Sequence, residues 1–162
     1  MRTCFGHIPA IVLILLSPLF AYGQSPKAGA HATDAEFKRL IERYYAAWNT
    51  LNADSASRFY AKDSGLVFYD NAPLKYNGWD EYRNGVTIGF FEKISTGKLT
   101  PYNDLKVSRR GNIVWTTLTF HLSATFKTGT PLEIDCRHTA IWERRGHNWL
   151  IVHEHVSVPI SG

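Results

Sequence analysis

Residues 137–158 read RHTAIWERRGHNWLIVHEHVSV, and in this stretch two runs rich in Trp and β-branched residues flank a short turn at Gly146 and His147. Runs of this kind joined by a Gly-containing turn are typical of an antiparallel β-hairpin. Within each arm, polar side chains alternate with large apolar ones. Such alternation places one face of a strand in a core and the other in a different environment. We therefore expect the second face to line a pocket or a subunit interface.

The sequence before this hairpin predicts three helices followed by long strands. The first helix follows the capping box Thr33-Asp34-Ala35-Glu36, and apolar side chains recur at helical spacing as far as Leu51. Residues 95–101 resemble a loop, and Tyr102–Ser108 resembles a strand. Clean alternation over Ile113–Phe126 predicts a long strand. Helices followed by an antiparallel meander predict an α+β domain with the helices on one face of the sheet.

The N-terminal residues have the features of a secretory signal peptide. Arg2 supplies a positive start, Ile8–Phe20 is a short apolar core, and small residues precede the expected cleavage site after Gly23. The core is too short and too interrupted for a comfortable membrane span, although an uncleaved anchor is the alternative. We expect a signal peptide at 1–23, a linker at 24–32, one domain at 33–160, and a mature protein that is periplasmic or secreted and free of the membrane.

The charge distribution argues against a nucleic-acid-binding protein, and the cysteine content argues against a domain held by internal disulfide bonds. The 162 residues carry a formal net charge of +4, but the basic residues are scattered, so we expect no nucleic-acid partner. Cys4 leaves with the signal peptide, so Cys136 is the single thiol of the mature chain and no internal disulfide is possible. We expect Cys136 to be buried in a strand, and the core to hold the domain together, with help from a partner subunit.

Two motifs carry a family resemblance. Tyr44-Tyr45-Ala46-Ala47-Trp48 lies on the first helix, and Thr139-x-x-Trp142-x-Arg144-Arg145 precedes Trp149-x-Ile151-Val152-His153-x-His155-x-Ser157. With the order of elements, they resemble the nuclear transport factor 2-like superfamily, also called SnoaL-like or ketosteroid-isomerase-like. The second motif is similar to the final hairpin of the calcium/calmodulin-dependent kinase II association domain and its bacterial SnoaL-like relatives. The resemblance implies a cone, in which a strongly bent antiparallel sheet wraps around a long N-terminal helix and leaves a pocket at its wide end. It also implies a homodimer that pairs through the sheet.

Tyr44, Asp70 and His138 are the candidate catalytic residues. In ketosteroid isomerases a tyrosine on the first helix donates to an oxyanion and an aspartate near the end of the first strand moves the proton; Tyr44 and Asp70 are similarly placed. An aspartate in an apolar mouth is a better base, because burial destabilises its carboxylate. The protonated acid on a late strand of that family has no clear match here. The alternative stays open that Tyr44 is a core aromatic residue and that Asp70 caps a turn before Pro73.

The histidines offer a metal-binding alternative. With a tight turn at Gly146 and His147, His138 is expected opposite His155 and Ala140 opposite His153, and three imidazoles so placed could bind Zn²⁺ or Cu²⁺. The kinase association domain and its relatives carry the same His-x-His segment, and the resemblance implies no metal at that segment. Hydrogen bonds across the sheet and at a dimer interface are the favoured interpretation for His138, His153 and His155. We expect no metal and no other cofactor.

The expected pocket is mainly apolar. Two arginines line the pocket of the kinase association domain. The resemblance places Ala140 and Val156 at their positions in this sequence, so the side chains that would bind a carboxylate in that way are missing. Arg137 is expected to face Val156 and to pair with Glu154 or Asp135. The other predicted lining residues are aromatic: Trp48, Phe68, Trp79, Phe90, Trp115 and Trp142. Such a site suits a flat, hydrophobic small molecule.

Two functions remain open. The first is an exported protein that binds, and isomerises or dehydrates without a cofactor, a small and mainly apolar molecule in the cone pocket. The second is a non-catalytic assembly module with a vestigial pocket. Because this fold carries isomerases, dehydratases, pure binders and assembly hubs, the resemblance does not decide whether the protein is an enzyme.

Overall fold

Helix α1 spans Asp34–Trp48 in the computed structural model, which describes Met1 and residues 33–160. It begins at the predicted capping box: Thr33 Oγ1 accepts a hydrogen bond from the Glu36 amide, and Glu36 Oε2 accepts one from the Thr33 amide at 2.5 Å. The buried face of α1 consists of Phe37, Ile41, Tyr44, Tyr45, Ala47 and Trp48. Apart from Met1, the predicted signal peptide and linker lie outside the described residues.

Two further helices follow α1. Helix α2 spans Ala53–Ala56 and continues into a 3-10 turn at Ser57–Phe59, and helix α3 spans Gly78–Gly89. In α3, Gly85 allows a close approach, because a Cβ atom at this position would lie 2.1 Å from Cε1 of Tyr76. The Tyr76 hydroxyl donates to the Ala72 carbonyl at 2.8 Å, so the loop between the first strand and α3 is held against the helix. No helix among the described residues is long and apolar enough to cross a membrane.

One curved sheet contains seven strands. They are β1 (Val67–Tyr69), β2 (Tyr76–Asn77), β3 (Ile94–Pro101), β4 (Lys106–Arg110), β5 (Ile113–Phe126), β6 (Pro131–Arg145) and β7 (Asn148–Ser157). Their order is β2-β1-β7-β6-β5-β3, and β4 pairs with the other half of the β5 edge. All pairs are antiparallel except β1 with β7.

The loop predicted at residues 95–101 is wrong. This segment is strand β3, which pairs with β5 from Ile94 opposite Phe126 to Pro101 opposite Phe120. Most of its side chains are exposed, because it lies at the edge of the sheet. An edge strand of this kind lacks the alternation of apolar and polar residues that identifies a half-buried strand. The strand predicted at Tyr102–Ser108 is displaced in the same region, since β4 covers Lys106–Arg110.

The terminal hairpin is confirmed, but its register differs from the prediction. Near the turn the pairing is as expected, with Trp142 opposite Ile151. Ile141 then pairs with His153, so Val152 is an extra residue on β7, which is a β-bulge. Beyond the bulge every predicted pair is wrong by one residue. The observed pairs are His138 with Val156, Thr139 with His155, Ala140 with Glu154 and Arg137 with Ser157.

Helix α1 lies against the concave face of the sheet. The ring of Phe37 meets that of Trp142 edge-on at 6.1 Å, and Tyr45 lies 5.6 Å from Phe120. Trp142 is fully buried, and its indole N–H donates to Thr116 Oγ1 at 3.0 Å. The predicted α+β architecture, a bent sheet wrapped around the first helix, is therefore confirmed.

Candidate functional site

A cavity of about 840 Å³ opens between α1, α3 and the concave face of the sheet. Its walls are mainly aromatic and aliphatic, and include Trp48, Tyr82, Phe90, Phe120, Leu122 and Ile134. A volume of this size holds a drug-sized organic molecule. Exposed lining residues such as Asn84 and Ile88 of α3 lie where the cavity meets solvent.

All three candidate catalytic residues line this cavity. Tyr44 is placed by α1, Asp70 follows directly after β1, and His138 points inward from β6. They meet because β1 pairs with β7 and β7 pairs with β6, so the end of the first strand lies close to the middle of the terminal hairpin. Tyr44 does not face Asp70, however; its hydroxyl donates to Glu154 and lies 3.2 Å from the Tyr60 hydroxyl.

Glu154 is fully buried behind the cavity wall and accepts hydrogen bonds from three groups. Its Oε1 lies 2.6 Å from Nε2 of His138 and also accepts from the Tyr44 hydroxyl, while Oε2 accepts from the Tyr60 hydroxyl at 2.5 Å. Burial alone would raise the pKa of Glu154, but the imidazole and the two phenols overcome this effect and lower it below its ordinary value. Glu154 is therefore an ionised carboxylate in the interior.

His138 connects Glu154 to the cavity. Because an ionised carboxylate can only accept, Nε2 of His138 carries a proton. The other ring nitrogen, Nδ1, lies 3.0 Å from the hydroxyl of Tyr45, which also lines the cavity. In the neutral imidazole Nδ1 accepts from Tyr45; in the imidazolium it donates to Tyr45, and the phenol proton is then free for a bound molecule. Glu154, His138 and Tyr45 thus form a hydrogen-bonded chain that ends at the cavity.

Asp70 supplies a second titratable group at this end of the cavity. Burial raises its pKa to about 6, and the nearby charge of Glu154 acts in the same direction. A hydrogen bond from the Asn71 amide (2.7 Å) opposes this shift, as does the proximity of His138 and of the Tyr82 hydroxyl. A carboxyl group with a pKa near neutrality can both take up and release a proton at physiological pH.

Two of the predicted aromatic pocket residues, Trp48 and Phe90, line the cavity. Phe68, Trp79 and Trp142 are buried and lie outside the lining. Phe68 stacks on Tyr82 with 5.5 Å between ring centroids, and the ring of Trp79 lies 6.3 Å from that of Trp48. These rings support the residues that face the cavity. The sequence does not distinguish a ring that lines the cavity from a ring behind the lining, because both are large apolar residues.

Trp115 and Arg137 lie on the outer face of the sheet, outside the cavity. Trp115 is 41% exposed, because its neighbours Val114 and Thr116 point inward and adjacent residues of a strand face opposite sides. Arg137 is exposed for the same reason, since His138 points inward. The bulge places Arg137 opposite Ser157 instead of Val156, so the predicted pocket arginine is not in the pocket.

The three histidines of the metal alternative do not converge. His138 points into the core, whereas His155 is exposed, and His153 Nδ1 donates to the Val67 carbonyl at 2.8 Å. His153 and His155 share a face, as predicted, and both pack against the ring of Tyr69. Within the described part of the chain, no group of three His, Cys, Asp or Glu side chains could hold a metal ion. Cys136 is buried on β6, as predicted.

The sequence does not mark Tyr45 or Tyr60 as site residues. Tyr45 follows Tyr44 on α1, and neighbouring helical residues point about 100° apart, so only the structure decides which phenol meets which partner. Tyr60 follows the 3-10 turn, and its hydroxyl accepts from the Trp48 indole at 3.3 Å while donating to Glu154. The one available signal was general: a buried phenol needs a hydrogen-bonding partner.

Solved structures with this fold come from several bacteria. A nuclear transport factor 2-like protein from Salmonella enterica superposes with a TM-score of 0.72 at 18% identity, over 78% of this chain and 91% of the other. A candidate calcium/calmodulin-dependent kinase II association domain from Xanthomonas campestris gives 0.67 at 21% identity, over 85% and 96%. A candidate dehydratase from Streptomyces avermitilis gives 0.68 at 13% identity, over 78% and 97%. At these identities the likeness concerns the fold.

The sequence of the chain also matches a family model. Among curated protein sequences, none matches the chain. The model of the SnoaL-like domain, in contrast, matches residues 38–161, which include all the helices and strands described above except the first turn of α1. The chain therefore belongs to the SnoaL-like domain family, and its fold is similar to that of the solved nuclear transport factor 2-like protein.

Proposed function

We propose that this protein binds a small, mainly apolar molecule in the cavity and catalyses proton transfer on it, as an isomerase or a dehydratase without a cofactor. One observation carries the proposal: a desolvated carboxyl, Asp70, and a hydrogen-bonded chain, Tyr45–His138–Glu154, line or back the same apolar cavity. A concave apolar site with a few convergent polar groups of shifted pKa is the usual form of an active site.

The groups suit the abstraction of a proton next to a carbonyl. In this scheme the Asp70 carboxylate takes the proton, and negative charge develops on the carbonyl oxygen of the ligand. Tyr45 donates a hydrogen bond to that oxygen, while His138 in its protonated form donates to the Tyr45 oxygen and Glu154 stabilises the imidazolium. Return of the proton from Asp70 to another carbon completes an isomerisation. Transfer of the same proton to a neighbouring hydroxyl group, which then leaves as water, completes a dehydration.

Tyr44 has a supporting role in this scheme. Its hydroxyl is already bound to the buried Glu154 carboxylate, and the pKa of Tyr44 is raised well above its ordinary value, first by burial and then by the charge of Glu154. It therefore stays protonated and holds Glu154 in place. Tyr45 takes the role that the sequence suggested for Tyr44.

Export and dimerisation belong to the proposal as well. The N-terminal sequence favours export to the periplasm or the medium. The outer face of the sheet supports pairing of two subunits. On this face Trp115 of β5 is 41% exposed and Tyr69 of β1 is 38% exposed. His155 lies on β7, which stands between β1 and β5 in the sheet order. Large, partly exposed rings of this kind are enriched in interfaces between subunits.

Deuterium exchange tests the proposed chemistry. 2-Tetralone is a flat, uncharged ketone with acidic C–H groups, and in heavy water the wild-type protein is expected to accelerate deuterium incorporation next to its carbonyl, measured by proton NMR. Asp70→Asn should lower the rate by about 10²–10⁴-fold, the usual contribution of a general base. Asp80→Asn is the matched control, because Asp80 is exposed on α3 outside the cavity. Equal rates for the wild type and Asp70→Asn would refute the assigned role.

A further inference from the structure

The charges around the inner end of the cavity limit which ligands it can accept. Glu154, ionised by its three donors, contributes one negative charge behind the wall. His138 contributes at most one positive charge, and Asp70 contributes either none or one negative charge. In every combination of these protonation states the inner end is neutral or negative. An anionic group that entered it would lose its hydration without gaining a countercharge.

The positive charge nearest to the cavity lies at its other end. Among the lining residues that the structure describes, Lys93 is the one lysine or arginine. Its carbonyl accepts from the Lys127 amide, and the following residue, Ile94, pairs with Phe126 at the end of β5. The same end of the sheet holds Leu132, which is six residues from His138 on β6, and six strand residues span roughly 20 Å. Lys93 is exposed and remains in solvent, where its field is screened.

From this arrangement we infer that the cavity selects ligands by charge: it takes uncharged molecules, it excludes carboxylates, phosphates and sulfonates, and Asp70 is the residue that enforces the exclusion. The inference rests on the proposed binding function and names the class of ligand. Two carboxylates of the described part of the chain line the cavity, Asp70 and Glu81. Asp70 has this role because it is half-buried, so its charge acts on a bound molecule directly, whereas Glu81 is exposed to solvent and accepts hydrogen bonds from Asn77. Glu154 lies behind the wall, and its charge is balanced in part by the donors around it.

Two fluorescent probes with one scaffold test this inference. N-Phenyl-1-naphthylamine is uncharged, and 8-anilino-1-naphthalenesulfonate has the same two ring systems with one added sulfonate. At pH 8 the wild-type protein is expected to bind the uncharged probe and to bind the sulfonate at least about tenfold more weakly, as one uncompensated like charge at a partly buried site implies. Asp70→Asn should raise the affinity for the sulfonate about tenfold and leave that for the uncharged probe within about twofold.

Asp80→Asn is again the matched control, since it removes one exposed carboxylate outside the cavity and should change neither affinity. Retained binding of the uncharged probe by Asp70→Asn shows that this variant is folded. Equal affinities of the wild type for both probes, or no gain of sulfonate binding in Asp70→Asn, would overturn the inference and leave the proposed function standing. Binding of neither probe would contradict the proposed function and the inference together.

Discussion

Replacement of Glu154 by Ala is expected to lower the free energy of unfolding by about 3–5 kcal/mol, the usual cost of removing one partner from a buried charged network. His138, Tyr44 and Tyr60 would each lose the acceptor of a buried hydrogen bond, and no water can reach the position readily because Glu154 is fully buried. Urea unfolding of the two proteins at pH 7, followed by tryptophan fluorescence, measures the difference.

The outer face of the sheet provides a control with the same bond length. His121 Nε2 lies 2.6 Å from Glu133, as His138 Nε2 lies 2.6 Å from Glu154, but the His121 and Glu133 side chains are 36% and 56% exposed. Glu133→Ala is therefore expected to lower the free energy of unfolding far less than Glu154→Ala, because solvent screens an exposed pair. Similar losses for Glu133→Ala and Glu154→Ala would mean that the buried network contributes no more than a surface pair.

Asp70→Asn is expected to act in the opposite direction and to stabilise the fold. The pKa of Asp70 is raised from its ordinary value of 3.8 to about 6, so between these pH values the folded state binds more protons than the unfolded state. The stability of the wild type then falls as the pH rises from about 4 to about 6, and the loss persists above pH 6. Two pKa units correspond to about 2.7 kcal/mol. Since Asp70 is partly accessible to solvent, we expect a gain of about 1–2 kcal/mol for the variant at pH 8.

This prediction is measured by urea unfolding at pH 4 and pH 8. The gain should be present at pH 8 and mostly absent at pH 4, where the wild-type carboxyl is protonated in the folded state. Asp80→Asn should show no such change between the two pH values. An Asp70→Asn variant that is less stable than the wild type at pH 8 would show that the carboxylate contributes favourable contacts. That result would contradict the claim that the Asp70 carboxylate lowers the stability of the fold.

The buried Glu154 and the half-buried Asp70 therefore give pH effects of opposite sign. The pKa of Glu154 is lowered, so its stabilising contribution is present above the pKa of an unfolded glutamate, near 4.5, and is lost as the pH falls through the lower pKa of the folded state. The pKa of Asp70 is raised, so its destabilising contribution grows with increasing pH up to about 6. Glu154 belongs to the structure that holds His138, and Asp70 belongs to the chemistry proposed for the cavity.

Local patterns predicted those parts of the fold in which burial differs between the two faces of an element. Helix α1 was identified by its capping box and apolar stripe, and β5 by its alternation of buried and exposed residues. Strand β3 was missed, because an exposed edge strand is held by backbone hydrogen bonds that leave little trace in side-chain composition. The register of the terminal hairpin depends on the bulge at Val152, which the sequence does not mark.

The sequence predicts which residues belong to the site better than it predicts the hydrogen bonds between them. Tyr44, Asp70 and His138 line one cavity, but the phenol that reaches His138 Nδ1 belongs to Tyr45, one position further along α1. Trp115 was assigned to the pocket wrongly, because only its size suggested a pocket wall. The alternation of β5 already placed it on the face away from Val114. Which buried polar groups meet depends on helix rotation and strand register, and both are fixed by the whole core.

Native mass spectrometry of the protein purified from its own source tests the central claim most directly, namely that the cavity holds a small molecule. We expect a dimer that carries one small organic molecule per subunit. The variant Leu122→Trp, whose larger side chain would occupy the cavity that Leu122 lines, is expected to form the same dimer without the added mass. A ring larger than a dimer with no bound molecule would contradict the claim and would favour an assembly module with a vestigial pocket.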